Sequence, residues 1–325
     1  MTCQKSLQDR IYQAQCYGSV EPIEYMVPYP NLGTLVEGQN IKFAAEIWYH
    51  PQQLSYADLL QQINRTANWL VSRGITNHDR VCLADCPTPQ AEILALAIWL
   101  TGASVLLVGP DDIPAAVKDC RPKLLIGRGE VAGINLEFIS IGKTAAQYPG
   151  CAAGSPATFR HHHKAQLNDE ALVCWKADRG IRLSHYNLLV NANGTLKLIP
   201  LPPKTVLQIK LPADSTAWAV LQAILPLYAG IGMSPDKGDL HIASGAAGPA
   251  DFRLDFSGTG KNAPNLIRII PEATAVTAVG ENTVHMTRIE TTANGKLRIS
   301  GHSVMLGYTN GALNEQAFTE DGLEL

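Results

Sequence analysis

The chain holds few residues whose types and spacing could do chemistry unaided. The stretch DFSGTGK at 255–261 approaches a phosphate-binding loop, in which glycines let backbone amides wrap a phosphate and a lysine adds charge. Its first glycine is missing, and Asn262 stands where a serine or threonine would hold magnesium. GHSVM at 301–305 approaches a serine nucleophile elbow, which needs a glycine on each side to make its sharp turn. The second glycine is absent, and the neighbours read as β strand. Three adjacent histidines, His161, His162 and His163, invite a metal reading. Adjacent side chains in a connector rarely converge on one ion, and no cysteine or aspartate lies at ligand spacing. Cys82 and Cys86 flank a strand end and read as buried small hydrophobes. No catalytic residue and no metal ligand is expected.

Composition narrows the class. The 325 residues suit one large domain or two to three subdomains. Hydrophobic residues at 46% against 17% charged can build a core, so disorder is excluded as the default. A net charge of −3 without a basic run argues against nucleic acid as a partner. Seven cysteines without a C-x-x-C spacing read as reduced thiols of a cytoplasmic protein. MTCQKSLQDR at the start lacks the apolar region of a signal peptide. The most apolar stretch, 93–108, is interrupted by Thr101, Gly102 and Ser104, and is short for a bilayer span. A buried helix followed by a buried strand explains it better.

The first forty residues are polar, punctuated by proline and glycine, and carry little signal. Ser55 with Asp58 three positions on forms a capping box. Leu59, Leu60, Ile63, Ala67, Leu70 and Val71 then share a helical face, and Gly74 suits the position past the helix end. Strands are expected at 81–84, 104–108 and 123–126, with helices at about 90–100 and 113–119 between them. A connector at 149–166 leads to a second run: strand 171–175, helix 184–196, strand 205–210, helix 215–228 and strand 240–243. Strands alternating with helices imply right-handed crossovers and mostly parallel sheets. From about Leu266 short strands take over, and Asn294-Gly295 predicts a type I′ hairpin turn. The expected fold is α/β: two mostly parallel α/β subdomains, 1–165 and 166–265, then a small antiparallel β subdomain, 266–325.

Four segments, in order, resemble the adenylate-forming superfamily of acyl- and aryl-CoA ligases. The first, 54–110, is similar to the family's opening helix, its G-D-R-V strand and the helix ending in an A-G-A turn. The second, LSHYNLL at 183–189, resembles the helix after the family's phosphate loop. The third is ASGAAG at 243–248 with DFSGTG at 255–260. The fourth, ISGHSVMLGYTNGALNEQAFTEDG at 299–322, is the most specific, and resembles R-G-P-x-V-M-x-G-Y … F-x-x-D-G. The resemblance implies two α/β subdomains plus a β-barrel-like one, with the adenylate where the three meet. It implies nucleotide contacts at Arg179, Gly245, Ala246, Phe256 and Thr259: Phe256 stacking on adenine, Thr259 bonding an α-phosphate, and Arg179-Gly180 standing where the family has Lys-Gly. The glycines equally suit tight strand-end turns, and Phe256 by itself reads as a core aromatic rather than an adenine shelf.

The departures shape the functional expectation. The family's Y-T-S-G-[ST]-T-G-x-P-K-G loop is matched here by LVCWKADRGI at 172–181, without its hydroxyls and small residues. Asp178 there would repel phosphate. Gly260 replaces the glutamate that helps to hold magnesium. The chain stops at Leu325, before the family's hinge and the small domain that carries the adenylation lysine, so that domain is expected to be absent. Few residues separate Tyr228 from Leu240, where the family walls its acyl pocket. The expectation is a degenerate AMP-binding protein unable to adenylate alone, a binding or partner subunit beside an active ligase or acyl-carrier system. AMP or an acyl-adenylate is its expected ligand, with ATP-Mg disfavoured. The alternative is a divergent acyl- or aryl-CoA ligase complemented by a separate chain.

Overall fold

The computed structural model describes residues 5–129, 134–141, 152–161, 163–245, 248–257 and 263–325. Three sheets organise them. A seven-stranded sheet runs in the order Gly307–Tyr308, Arg179–Ser184, Glu170–Lys176, Ser104–Val108, Arg80–Ala84, Leu124–Gly127, Phe138–Ser140. From Glu170–Lys176 to Phe138–Ser140 its neighbours pair parallel; the first three strands pair antiparallel. A nine-stranded sheet has the parallel series Leu266–Ile269, Phe252–Asp255, Leu240–Ala243, Val206–Ile209, Gly232–Ser234 and Ile47–Tyr49 in its middle, and antiparallel pairs at both ends. A small antiparallel sheet follows the order Thr287–Thr291, Leu297–Gly301, Gly322–Glu324, Phe318–Thr319.

The helices obey local chemistry. Ser55 caps Tyr56–Ser72, and Asp58 completes its capping box. Ser184 and Asn187 do the same for His185–Leu196. The helix Gln90–Thr101 is buried along its whole length. It packs on Tyr56–Ser72, Leu32–Phe43 and Trp218–Ile224, which explains why it is apolar on every side. The expected helix at 215–228 has π geometry over Trp218–Ile224 and α geometry over Leu225–Ala229. Gln222 in the π stretch donates to the buried Glu92 at 2.7 Å and accepts from the Leu211 amide at 2.7 Å.

Four features differ from the sequence reading. The first forty residues contain two helices, Leu7–Gln15 and Leu32–Phe43, capped by Ser6 and Asn31. Sheet membership crosses the expected bounds at 165 and 265. Ile47–Tyr49 joins the nine-stranded sheet, Glu170–Lys176 joins the seven-stranded one, and Leu266–Ile269 extends the nine-stranded one. Chain order is a poor guide here because parallel neighbours need long crossovers. A strand, Gly232–Ser234, occupies the short route between Tyr228 and Leu240. Finally, the turn at 292–295 is closed by Gly295 N donating to Thr292 O at 2.9 Å, and Gly295 alone has positive φ, at 77°. That is a three-residue hairpin loop, in which Asn294 keeps ordinary geometry.

Candidate functional site

A cavity of about 440 Å³ opens at the carboxyl ends of strands from both large sheets. Such crevices are where open α/β sheets bind ligands. Its walls come from the end of Glu170–Lys176, from Phe256 just past Phe252–Asp255, from Ile270 and Glu272 just past Leu266–Ile269, and from Thr216.

The wall at 174–181 is a tight hairpin. Glu170–Lys176 pairs antiparallel with Arg179–Ser184, from Glu170 opposite Ser184 to Lys176 opposite Arg179. Only Ala177 and Asp178 form the turn, with φ of 51° and 60°. Two consecutive positive φ values are the mark of a type I′ turn, which joins strands at two residues. Backbone amides in the ladder are engaged by the partner strand. Gly180 is required beside the turn: a Cβ there would lie 2.7 Å from Thr309 Cγ2.

The charges around the cavity balance. Arg179 lies 3.3 Å from the Glu272 carboxylate and sits 5.6 Å over the Tyr308 ring. Glu272 is buried and also accepts from the Tyr308 hydroxyl at 3.2 Å. Burial, reinforced by Glu272, raises the Tyr308 phenol above its ordinary value. Lys176 interacts with Asp214, whose carboxyl is raised by burial and drawn down by the lysine. Of the two cations at the hairpin tip, Arg179 is ion-paired with Glu272, and Lys176 acts on Asp214 through space. Burial pushes the Cys174 thiol up to about 12, so it is neutral. The Thr216 hydroxyl is buried beside the cavity without a hydrogen-bond partner among the described residues.

Of the five residues implied to contact nucleotide, Arg179 and Phe256 line this cavity. Phe256 is 48% exposed, which overturns its reading as a core aromatic: it follows a strand end and has an open face. Gly245 is not among the lining residues; its carbonyl accepts from Arg253. Ala246 and Thr259 lie outside the described residues, as does Gly260. Glu272 and Thr216 went unnoticed in the sequence. A single acid after a proline and a threonine at a helix start carry no motif.

The other candidates resolve locally. His185 is fully buried, its Nδ1 accepts from the Leu32 amide at 3.3 Å, and burial lowers its pKa to about 4. His161 pairs with Glu37 at 2.8 Å and His163 packs against His78; His162 lies outside the described residues. Ser303 is buried and bonds Asn191 and Thr287. Cys82 and Cys86 are free and buried. Among the described residues no group of three metal-binding side chains converges, and no helix is long and apolar enough to cross a membrane.

The fold is of the adenylate-forming ligase type. Residues 37–175 match the sequence model of the family described as AMP-binding enzyme. Over 79 residues the chain is 35% identical to acetyl-coenzyme A synthetase of Rhodobacter capsulatus, covering 23% of this chain and 12% of that protein. The chain thus spans a small part of that relative. ATP-bound MatB from Rhodopseudomonas palustris superposes with a TM-score of 0.76 at 18% identity, covering 91% of this chain and 75% of the other. The N-terminal domain of FACL13 from Mycobacterium tuberculosis gives 0.73 at 14% identity, covering 91% and 96%. These likenesses establish the fold of an adenylate-forming ligase N-terminal region.

Proposed function

We propose that this chain is a degenerate AMP-binding protein that does not activate carboxylates by itself. It acts in the cytoplasm as a binding or partner subunit of acyl or carboxylate metabolism, beside an active ligase or an acyl carrier. One observation carries the reading. Where the resemblance places a wrapping phosphate loop, the chain makes a two-residue turn between paired strands. A triphosphate needs convergent free amides, hydroxyls and a metal anchor. Here Arg179 is already paired with Glu272, and the Lys176 charge is offset by the nearby Asp214 carboxyl.

The residues fit a smaller ligand better. Phe256 offers an aromatic face, Thr216 a buried unpartnered hydroxyl beside the cavity, and the cavity volume falls in the range of small-molecule sites. An acyl-adenylate, with one negative charge, suits the balanced electrostatics better than AMP with two. Phe256 would stack on the base and Thr216 would donate to a polar atom of the ligand.

The alternative reading, a divergent acyl- or aryl-CoA ligase completed by another chain, is favoured by the match at 37–175. Pyrophosphate release over a broad panel of carboxylic acids separates the two. The proposal expects none from the purified chain. Release by the chain alone overturns it, and release only with a second protein favours the alternative.

A further inference from the structure

At the opposite end of the same hairpin lies a polar cleft of about 310 Å³, lined by His78, Asp79, Arg80, Arg121, Glu170 and Arg182 among others. It is separated from the nucleotide-type cavity by the length of Glu170–Lys176, roughly 20 Å at the rise of a β strand. We propose that this cleft binds the phosphate group of a small phosphorylated metabolite or free phosphate. This goes beyond the functional reading above and does not rest on it.

The argument is a count of donors and acceptors. Glu170 accepts from Arg80 Nε at 2.7 Å, Arg80 Nη2 at 2.8 Å and Arg182 Nε at 2.6 Å. Arg80 spends its remaining Nη1 on the Cys120 carbonyl at 3.1 Å. The Glu170 carboxyl is held below its usual range by the two guanidiniums, against its burial, so it stays charged and fully used. One oxygen of Asp79, Oδ2, accepts from the Thr76 amide and hydroxyl, both at 2.7 Å, and from Lys123 at 3.1 Å.

On the donor side three groups are left over. The Nη groups of Arg182, the whole guanidinium of Arg121 and the ring nitrogens of His78 have no hydrogen-bond partner among the described residues. Three guanidiniums and two carboxylates line the cleft, an excess of positive charge before Lys123 is counted. Forked guanidinium donors facing one small cleft match the tetrahedral oxygens of phosphate. Arg121 takes a left-handed backbone conformation, φ 48°, between Cys120 and Pro122.

The test is titration of the intact chain at low ionic strength with inorganic phosphate and, separately, with glycerol phosphate, followed by phosphorus NMR and calorimetry. Arg121→Ala removes a free donor from an exposed turn, and Arg182→Gln leaves Glu170 paired with Arg80. Lys296→Ala in the distant hairpin is the control, and circular dichroism checks that each variant is folded. The proposal expects saturable binding, weakened roughly tenfold by either arginine substitution and unchanged by the control. Tighter binding of the ester identifies a metabolite as the ligand; equal binding identifies free phosphate. Absence of binding overturns the proposal. So does binding that matched chloride abolishes, or that survives both arginine substitutions.

Discussion

Arg179 is the residue on which the proposed lack of triphosphate binding turns. It stands at the cavity, but Glu272 and the Tyr308 ring hold it. Replacing Glu272 by Ala strands Tyr308 and Arg179 together and is expected to cost about 2 kcal/mol in urea denaturation. An unchanged midpoint would show that the cluster does not stabilise the fold. His185 supplies a pH signature. Its folded pKa of about 4 lies below the ordinary 6.5, so the native state refuses a proton that the unfolded chain accepts. Stability is therefore full above pH 6.5 and falls as pH drops towards 4. The loss attributable to this residue is roughly 3 kcal/mol across that window. His185→Asn is expected to flatten the pH profile of stability there; an unaltered slope would reject the assignment. Sequence alone placed His185 at a helix start and Arg179 near the site. It could not find Glu272, whose partners are 93 and 36 positions away in number, since Arg179 and Tyr308 meet it only through the fold.

At the scale of elements, turn chemistry separates what was legible from what was not. Ser55 with Asp58, and the run of one-sided apolar residues after them, announced their helix, and the capping box is formed. Asn294-Gly295 announced a hairpin and the strands pair around it, though the loop uses only the glycine's freedom. The two-residue turn with paired positive φ falls instead on Ala177-Asp178, a dipeptide without the glycine that usually marks it. The strand Arg179–Ser184 was missed for the same reason. Ala in the left-handed region carries strain. Ala177→Asn combined with Asp178→Gly is expected to raise stability by about 1 kcal/mol, read as a higher urea midpoint. A lower midpoint would mean that the hairpin tip is held by contacts other than its own backbone.

Across the whole molecule, strands were legible as strands but their sheets were not. The apolar runs at 81–84 and 104–108 could be read from composition and punctuation. Their partner Glu170–Lys176 arrives after a long connector, and Ile47–Tyr49 pairs with Gly232–Ser234 across most of the chain. The chain crosses between the two large sheets repeatedly, so neither sheet is complete within one continuous stretch. A fragment of residues 1–165 lacks the strand beside Ser104–Val108 and is expected to remain unfolded by circular dichroism. Cooperative melting of that fragment would show an independent unit.

The central claim is that a paired hairpin has taken the place of a triphosphate grip. Calorimetric titration of the purified chain with ATP-Mg and with a non-hydrolysable acyl-adenylate analogue tests it most directly. The account predicts that the analogue binds at least roughly tenfold more tightly than ATP-Mg, a difference of about 1.4 kcal/mol. ATP-Mg binding as tightly as the analogue, or more so, would contradict it.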